Sequence, residues 1–292
     1  MSVKAVVFDT ENVFWEGFSR EICLDPQKPV DDVVRTLKNN QLVTEGQITR
    51  LRRRLKKYGV VALNVIGLIG DVASVPSLGP YSVKECKEDR QKMSKRIAAI
   101  TQAFAKGMEI GQICKIADGI ALTENIEEVI GKLREENVYQ IASSNGVAPF
   151  VYAVVRRLGG VDYVEVPETT VIIDGEKRIF TPEILEVKNA KIDPELKGPY
   201  NRLEGIRKAL IKLKVSPSEV LHVESCEPDF EEIRRVKNSG GYVIAFRPND
   251  NDLRRVYEMS GVPMLDTIGK QDAGIIYEIA KDPKMNIGKY CV

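Results

Sequence analysis

Three apolar segments of the sequence end in polar residues whose side chains can bind phosphate or a divalent cation. The segments are VKAVVFD at residues 3–9, VYQIASS at 138–144 and VLHV at 220–223. The residues of interest in and after them are Asp9, Glu11, Ser143, Ser144, Asn145, Glu224 and Asp229. Carboxylates gathered at one place repel one another unless a cation joins them, and Mg²⁺ prefers oxygen ligands together with water and substrate phosphate. A carboxylate beside a metal can also attack phosphorus to form an aspartyl-phosphate, so these residue types point to phosphoryl chemistry.

An alternation of short strands and helices is expected to bring these residues together. Apolar runs predict strands at residues 3–8, 138–144, 161–166, 220–224, 242–246 and 264–268, and periodic segments predict helices at 126–136, 149–158, 203–213, 229–238 and 273–280. Asp174-Gly175 predicts the turn of a hairpin between two β-rich runs. Strands separated by helices indicate right-handed crossovers, and thus an α/β fold with a doubly wound parallel sheet. Ligands of such a sheet bind beyond the carboxyl ends of its strands, which is where the polar residues lie.

The segment between the first and second of these strands differs in pattern. Residues 15–119 are mostly helical in periodicity, with proline residues as breakers. We therefore expect residues 1–14 and 120–292 to form the α/β core domain and residues 15–119 to form a helical domain inserted after the first strand.

Composition narrows the function classes. The chain has 292 residues, and its 43 Lys and Arg against 42 Asp and Glu give a net charge of +1, so nothing in the overall charge favours nucleic acid or an acidic membrane surface. No apolar run has membrane-spanning length, and the first residues lack a secretory pattern.

Five scattered cysteines fit neither a disulfide framework nor a zinc site, and they favour a reducing cytoplasm. His222 is the only histidine of the sequence, and its place in an apolar strand indicates a core residue. The basic stretch 50–57 is expected to be a solvated helix face.

The ordered motifs resemble the haloacid dehalogenase (HAD) superfamily. VVFDTENVFWEG resembles its first motif, IASSNG its second and VLHVESCEPDFEEI its fourth. RLGGVDYV followed by VIIDGEKRIFT is similar to the phosphoserine-phosphatase-like branch of hydrolases, which carries a helical cap. The resemblance implies a Rossmann-like core, with the cap in the insert after the first strand.

The resemblance also implies roles for the acids. Asp9 would be the nucleophile and a Mg²⁺ ligand, and Glu11 would exchange protons with the leaving group and water while its carbonyl binds the metal. Glu224 and Asp229 would be the remaining metal ligands.

Phosphate binding would fall to the second and third motifs. Ser143 would donate a hydrogen bond to a phosphate oxygen, with Ser144 as the alternative if the strand end shifts by one residue, and Asn145 would lie beside them. The basic residue of the third motif would be Lys197 or Arg202. Lys197 is slightly favoured because a glycine follows it as in the branch, whereas Arg202 lies near the customary distance.

Two functions follow from these observations. The first is a Mg²⁺-dependent phosphatase, which acts on a small phosphorylated metabolite through an aspartyl-phosphate. The second is a catalytically weak or inactive protein of the same fold, which binds a ligand or serves as a regulatory protein or complex subunit. Two departures support the second: Glu11 stands where the family has Asp, and Val223-Glu224 stands where it has Gly-Asp. A second copy of the chain or another protein stays open as a partner.

Overall fold

The computed structural model describes residues 3–10, 13–15, 105–187, 189–193, 202–225, 230–248, 251–265 and 272–291. The strands are β1 (Ala5–Asp9), β2 (Tyr139–Ser143), β3 (Tyr163–Glu165), β4 (Thr170–Ile173), β5 (Glu176–Ile179), β6 (Lys191–Ile192), β7 (Val220–Glu224), β8 (Tyr242–Phe246) and β9 (Met264–Leu265). The helices are α1 (Ile110–Gly119), α2 (Ile126–Glu135), α3 (Ala148–Arg157), α4 (Arg202–Leu213), α5 (Phe230–Asn238), α6 (Asn251–Met259), α7 (Gly274–Lys281) and α8 (Pro283–Tyr290).

Six strands form one parallel sheet in the order β3-β2-β1-β7-β8-β9. β1 lies at its centre between β2 and β7, and all five of its residues are buried, which explains its continuous apolar sequence. The predicted α/β fold with a doubly wound parallel sheet is confirmed, and the predicted strands and helices outside the insert agree with the observed ones to within two residues wherever the structure describes them.

Helices cover both faces of this sheet. Val6, Phe8, Val223 and Ile244 pack with α1, α2, α3 and α7 on one face. Val7, Ile141 and Val243 pack with α4 and α5 on the other, which brings α4 across β2 and β3. This second face carries the candidate site, because α4 begins beside the carboxyl ends of the central strands.

A small antiparallel sheet in the order β5-β4-β6 lies apart from the main one. The β4–β5 hairpin has the turn that the sequence predicts, since Asp174 and Gly175 both adopt positive φ angles of 52° and 86°. Lys106 and Lys177 both form ion pairs with Asp193 beside this sheet.

The predicted inserted domain lies mostly outside the described residues, as does the basic stretch 50–57. Of the insert, the structure describes residue 15 and residues 105–119. Helix α1 packs against α3, and its buried residues Ile110, Ile113 and Ala117 belong to the same apolar cluster as the sheet. The domain boundaries remain a prediction. Within the described ranges, no helix is both long enough and apolar enough to cross a bilayer.

Candidate active site

Strand register places three of the predicted site residues at one level of the sheet. Asp9, the last residue of β1, is paired with Ser143, the last residue of β2. On the other side of β1, Phe8 is paired with Val223, so Glu224 follows at the level of Asp9. Because neighbouring residues in paired strands point to the same face, Asp9, Ser143 and Glu224 all point toward the α4 face. All three are buried, with exposed fractions of 1% or less.

Arg202, the first residue of α4, links the ends of β1 and β2. Its Nε donates a 2.6 Å hydrogen bond to Oγ of Ser143, and its Nη2 lies 3.6 Å from Oδ1 of Asp9. The guanidinium has a planar fork of donors, so one arginine can contact a hydroxyl and a carboxylate together. Because Ser143 accepts this hydrogen bond, its own hydroxyl hydrogen can be donated to another oxygen. A positive charge and a hydroxyl donor, which can bind a phosphate ester, therefore meet a carboxylate, which can attack one, in a buried place.

The second oxygen of Asp9 contacts a residue that the sequence analysis did not select. Oγ of Ser225 donates a 3.2 Å hydrogen bond to Oδ2 of Asp9. Ser225 directly follows β7 and is fully buried. Its position after a central strand is the signal that could have identified it, since β7 lies next to β1.

Glu224 forms a buried ion pair with the only histidine of the chain. Its Oε1 lies 3.0 Å from Nε2 of His222, and both residues are fully buried. Burial alone would raise the pKa of Glu224, but the positive charges of His222 and Arg202 outweigh it and hold the pKa below its ordinary value. His222 is thus a core residue, as predicted. Its pairing with Glu224 was missed, although residues two apart in a strand share a face.

Ser144 and Asn145 belong to the turn that leaves β2. The backbone N–H of Gly146 donates a 3.0 Å hydrogen bond to Oγ of Ser144, and the backbone N–H of Ser144 donates to the carbonyl of Glu165. Asn145 is half-buried in the same turn. Because β2 ends at Ser143, the serine that contacts Arg202 is Ser143, and Ser144 stabilises the turn before α3.

Three of the predicted site residues lie outside the described residues: Glu11, Lys197 and Asp229. Of the two candidates for the basic residue, Arg202 is the one that the structure describes, and it contacts both Asp9 and Ser143.

The described residues alone do not fit a Mg²⁺ site. Both oxygens of Asp9 already have protein partners, Ser225 and Arg202. Glu224 is fully buried and lies 3.0 Å from His222, whereas Mg²⁺ requires octahedral oxygen ligands and keeps several waters. Within the described ranges, no three His, Cys, Asp or Glu residues are grouped so that they could hold a metal ion.

Comparison with known proteins agrees with this architecture. No protein-family model matches the chain, and no curated protein is significantly similar to it in sequence. Among solved structures, a HAD family hydrolase from Salmonella enterica serovar Typhi superposes with a TM-score of 0.50 at 13% identity, over 87% of this chain and 65% of that one.

Two further solved structures extend over nearly the whole chain. An apo phosphoserine phosphatase matches with a TM-score of 0.46 at 15% identity, over 96% of this chain and 98% of that one. A β-phosphoglucomutase from Clostridium difficile matches with a TM-score of 0.44 at 11% identity, over 99% and 98%. At these identities the likeness establishes a shared fold, and the hydrolase with the TM-score of 0.50 carries that conclusion. This chain thus shares the fold of that HAD family hydrolase, in agreement with the resemblance of the sequence motifs.

Proposed function

We propose that this protein is a HAD-like phosphatase that hydrolyses a small phosphorylated metabolite through an aspartyl-phosphate. The observation that carries the proposal is the position of Arg202, which joins Asp9 to Ser143 at the carboxyl edge of a parallel sheet. Arg202 places a positive charge beside Asp9, the proposed nucleophile, where it can attract the negative charge of a phosphate ester. The HAD fold and the order of the sequence motifs support the same reaction.

The proposed reaction has two displacements at phosphorus. A carboxylate oxygen of Asp9 forms a bond to phosphorus while the bond to the ester oxygen breaks, and Glu11 gives that departing oxygen a proton. Water, deprotonated by Glu11, then attacks the acyl phosphate, which restores Asp9 and releases inorganic phosphate. Arg202 compensates the charge on the phosphoryl oxygens in both steps, and the hydroxyl of Ser143 donates a hydrogen bond to one of them.

Mg²⁺ enters the proposal through Asp9 together with Glu11 and Asp229, and not through Glu224. The ion pair of Glu224 with His222 argues for a role inside the protein. The residues that carry the two displacements are Asp9, Glu11, Arg202 and Ser143, and the described residues alone do not form a metal site.

A second function is favoured by a specific observation. Asp9 is held between Ser225 and Arg202, and Glu224 lies 3.0 Å from His222, so both carboxylates of the described part of the site have neighbours within the protein that can interact with their charge. Such a site would suit a protein that binds a phosphorylated ligand without turning it over, and that acts as a regulatory protein or complex subunit.

Turnover of p-nitrophenyl phosphate and of a panel of phosphorylated metabolites, with Mg²⁺ or with EDTA, tests the proposal. We expect hydrolysis by the wild type that EDTA suppresses and Mg²⁺ restores, and its loss in Asp9→Asn. Asp174→Asn is the matched control, because it makes the same change in a remote hairpin turn where asparagine also tolerates positive φ. Phosphate binding without hydrolysis by the wild type would establish the second function. Equal activity of wild type and Asp9→Asn would disprove the role of Asp9.

A further inference from the structure

The position of Arg202 depends on how the first turn of α4 sits on the sheet. Arg202 is the first residue of that helix, so a small displacement of the turn moves its guanidinium away from Ser143 and Asp9. Helix α4 packs across β2 and β3, and its buried residues include Gly205 and Ile206. The contact that fixes this first turn therefore decides whether the site is assembled.

Gly205 lies one turn after Arg202, at a position where a side chain could enter only by displacing the end of the Glu165 side chain. A Cβ built on Gly205 would overlap the carboxyl group of Glu165. Glycine is among the poorest helix formers, so its presence inside a helix calls for a specific reason. The reason here is steric: the absent side chain leaves a notch in α4, and the carboxyl group of Glu165 fills it.

Glu165 is tied to the site from the other side. It is the last residue of β3 and is paired with Ser143, so its side chain points toward the same α4 face as Ser143 and Asp9. Its backbone carbonyl accepts a 2.9 Å hydrogen bond from the N–H of Ser144. A carboxylate beside the first turn of a helix is also favoured by the positive end of the helix dipole. The main chain of Glu165 thus holds the end of β2 while its side chain sits in the notch of α4.

We infer that Glu165 is a positioning residue, which uses the notch at Gly205 to set Arg202 against Ser143 and Asp9. This inference rests on the proposed phosphatase function, in which Arg202 is the residue that binds phosphate. Neither Glu165 nor Gly205 touches the reacting atoms, and both act through the placement of α4.

Gly205→Ala and Glu165→Ala test the inference. A displacement of about 1 Å in a catalytic group lowers rates by up to about a hundredfold, so we expect Gly205→Ala to lower kcat/KM by about 10- to 100-fold and to weaken inhibition by orthovanadate. Gly131→Ala is the matched control, because Gly131 lies inside α2 and an added Cβ there meets nothing within 4 Å. The control should keep the activity of the wild type.

The double variant separates positioning from mere packing. If the notch matters because it receives Glu165, adding Gly205→Ala to Glu165→Ala should change kcat/KM much less than adding it to the wild type. If Gly205→Ala lowers kcat/KM by the same factor in the wild type and in Glu165→Ala, the inference is overturned. So would an unchanged kcat/KM and vanadate affinity in variants that lose only thermal stability.

A crystal structure of Gly205→Ala makes the inference independent of turnover. The hydrogen bond from Arg202 Nε to Ser143 Oγ is 2.6 Å in the wild type and should lengthen beyond 3.5 Å or be lost. If that bond keeps its length, the positioning role is wrong, whatever the activity. If the wild-type protein hydrolyses no phosphate ester but the bond is lost in the variant, the proposed function fails and the positioning of Arg202 stands.

Discussion

Replacing Arg202 with lysine is the sharpest test of the site, because it keeps the charge and removes the geometry. The ion pair of Arg202 with Asp9, at 3.6 Å between side chains 6% and 2% exposed, has a Coulomb energy of about 5 kcal/mol at an effective dielectric constant of about 20. Lysine retains part of that attraction. An ammonium group on a flexible stem cannot reproduce the fork that reaches Ser143 and Asp9 together.

The expected loss follows from the donors that lysine lacks. A hydrogen bond from a charged donor contributes about 1.5–3 kcal/mol, and the loss of one such bond to the phosphoryl group in the transition state, at about 2 kcal/mol, corresponds to roughly a 30-fold loss in kcat/KM. Removing the charge altogether, as in Arg202→Met, would leave Asp9 buried without its cation. We expect that variant to lose about 3–5 kcal/mol of folding free energy.

Steady-state kinetics with p-nitrophenyl phosphate and urea unfolding measure the two effects separately. Arg207→Lys is the matched control, since Arg207 lies on the same helix, is 57% exposed and pairs only at 3.8 Å with Glu204. We expect this control to change stability by less than about 0.5 kcal/mol and to keep full activity. If Arg202→Lys folds and matches the control in kcat/KM, the claim that Arg202 binds phosphate through its fork is refuted.

Two further changes test the electrostatics and the packing of the core. The folded pKa of Glu224 lies below its ordinary 4.5, so its ion pair stabilises the protein above about pH 4.5 and is lost as the pH falls through the folded value. In urea unfolding, Glu224→Gln should therefore have a lower free energy of unfolding than the wild type at pH 7, and this difference should shrink below pH 4.5. A difference that is the same at both pH values would contradict this. Phe150→Ala should lose about 3–5 kcal/mol in the same assay, because Phe150 is fully buried and packs edge-on against Trp15 with ring centroids 5.2 Å apart, whereas Met285→Ala, at a residue 65% exposed, should lose less than about 0.5 kcal/mol.

The fold was largely predictable because the central strands are buried on both faces. β7 was predicted at residues 220–224 and is found there, since such a strand is a continuous apolar run that ends abruptly in a polar residue. Helix α6 was missed although Leu253, Val256 and Tyr257 recur at helical spacing, because its sequence NDLRRVYEM is short and mostly polar. Helix α8 was missed because its apolar period is weak, with Pro283 and Asn286 as its buried residues.

The site was less predictable, because position after a strand does not tell what a side chain contacts. Asp9 and Ser143 could be placed together from strand order alone, as parallel strands end at one edge. Glu224 was expected to bind metal, and the sequence analysis did not reveal that His222, two residues earlier in the same strand, lies 3.0 Å from its carboxylate. Contacts that cross from a sheet to a helix, such as Arg202 to Ser143, depend on a packing distance that sequence spacing does not encode.

The charge balance of the buried site connects its two proposed functions. Two carboxylates, Asp9 and Glu224, are compensated inside the protein by Arg202 and by the ion pair with His222. An arriving phosphate ester brings further negative charge, so Arg202 must divide its donors between Asp9 and the phosphate, and the repulsion between nucleophile and phosphate grows. In the proposed phosphatase, turnover would therefore draw on an additional cation, and the acids proposed to hold one with Asp9 are Glu11 and Asp229. If Mg²⁺ increases the affinity for phosphate, the protein is expected to be the phosphatase. If Mg²⁺ does not change that affinity, the protein is expected to bind a phosphorylated ligand without hydrolysing it.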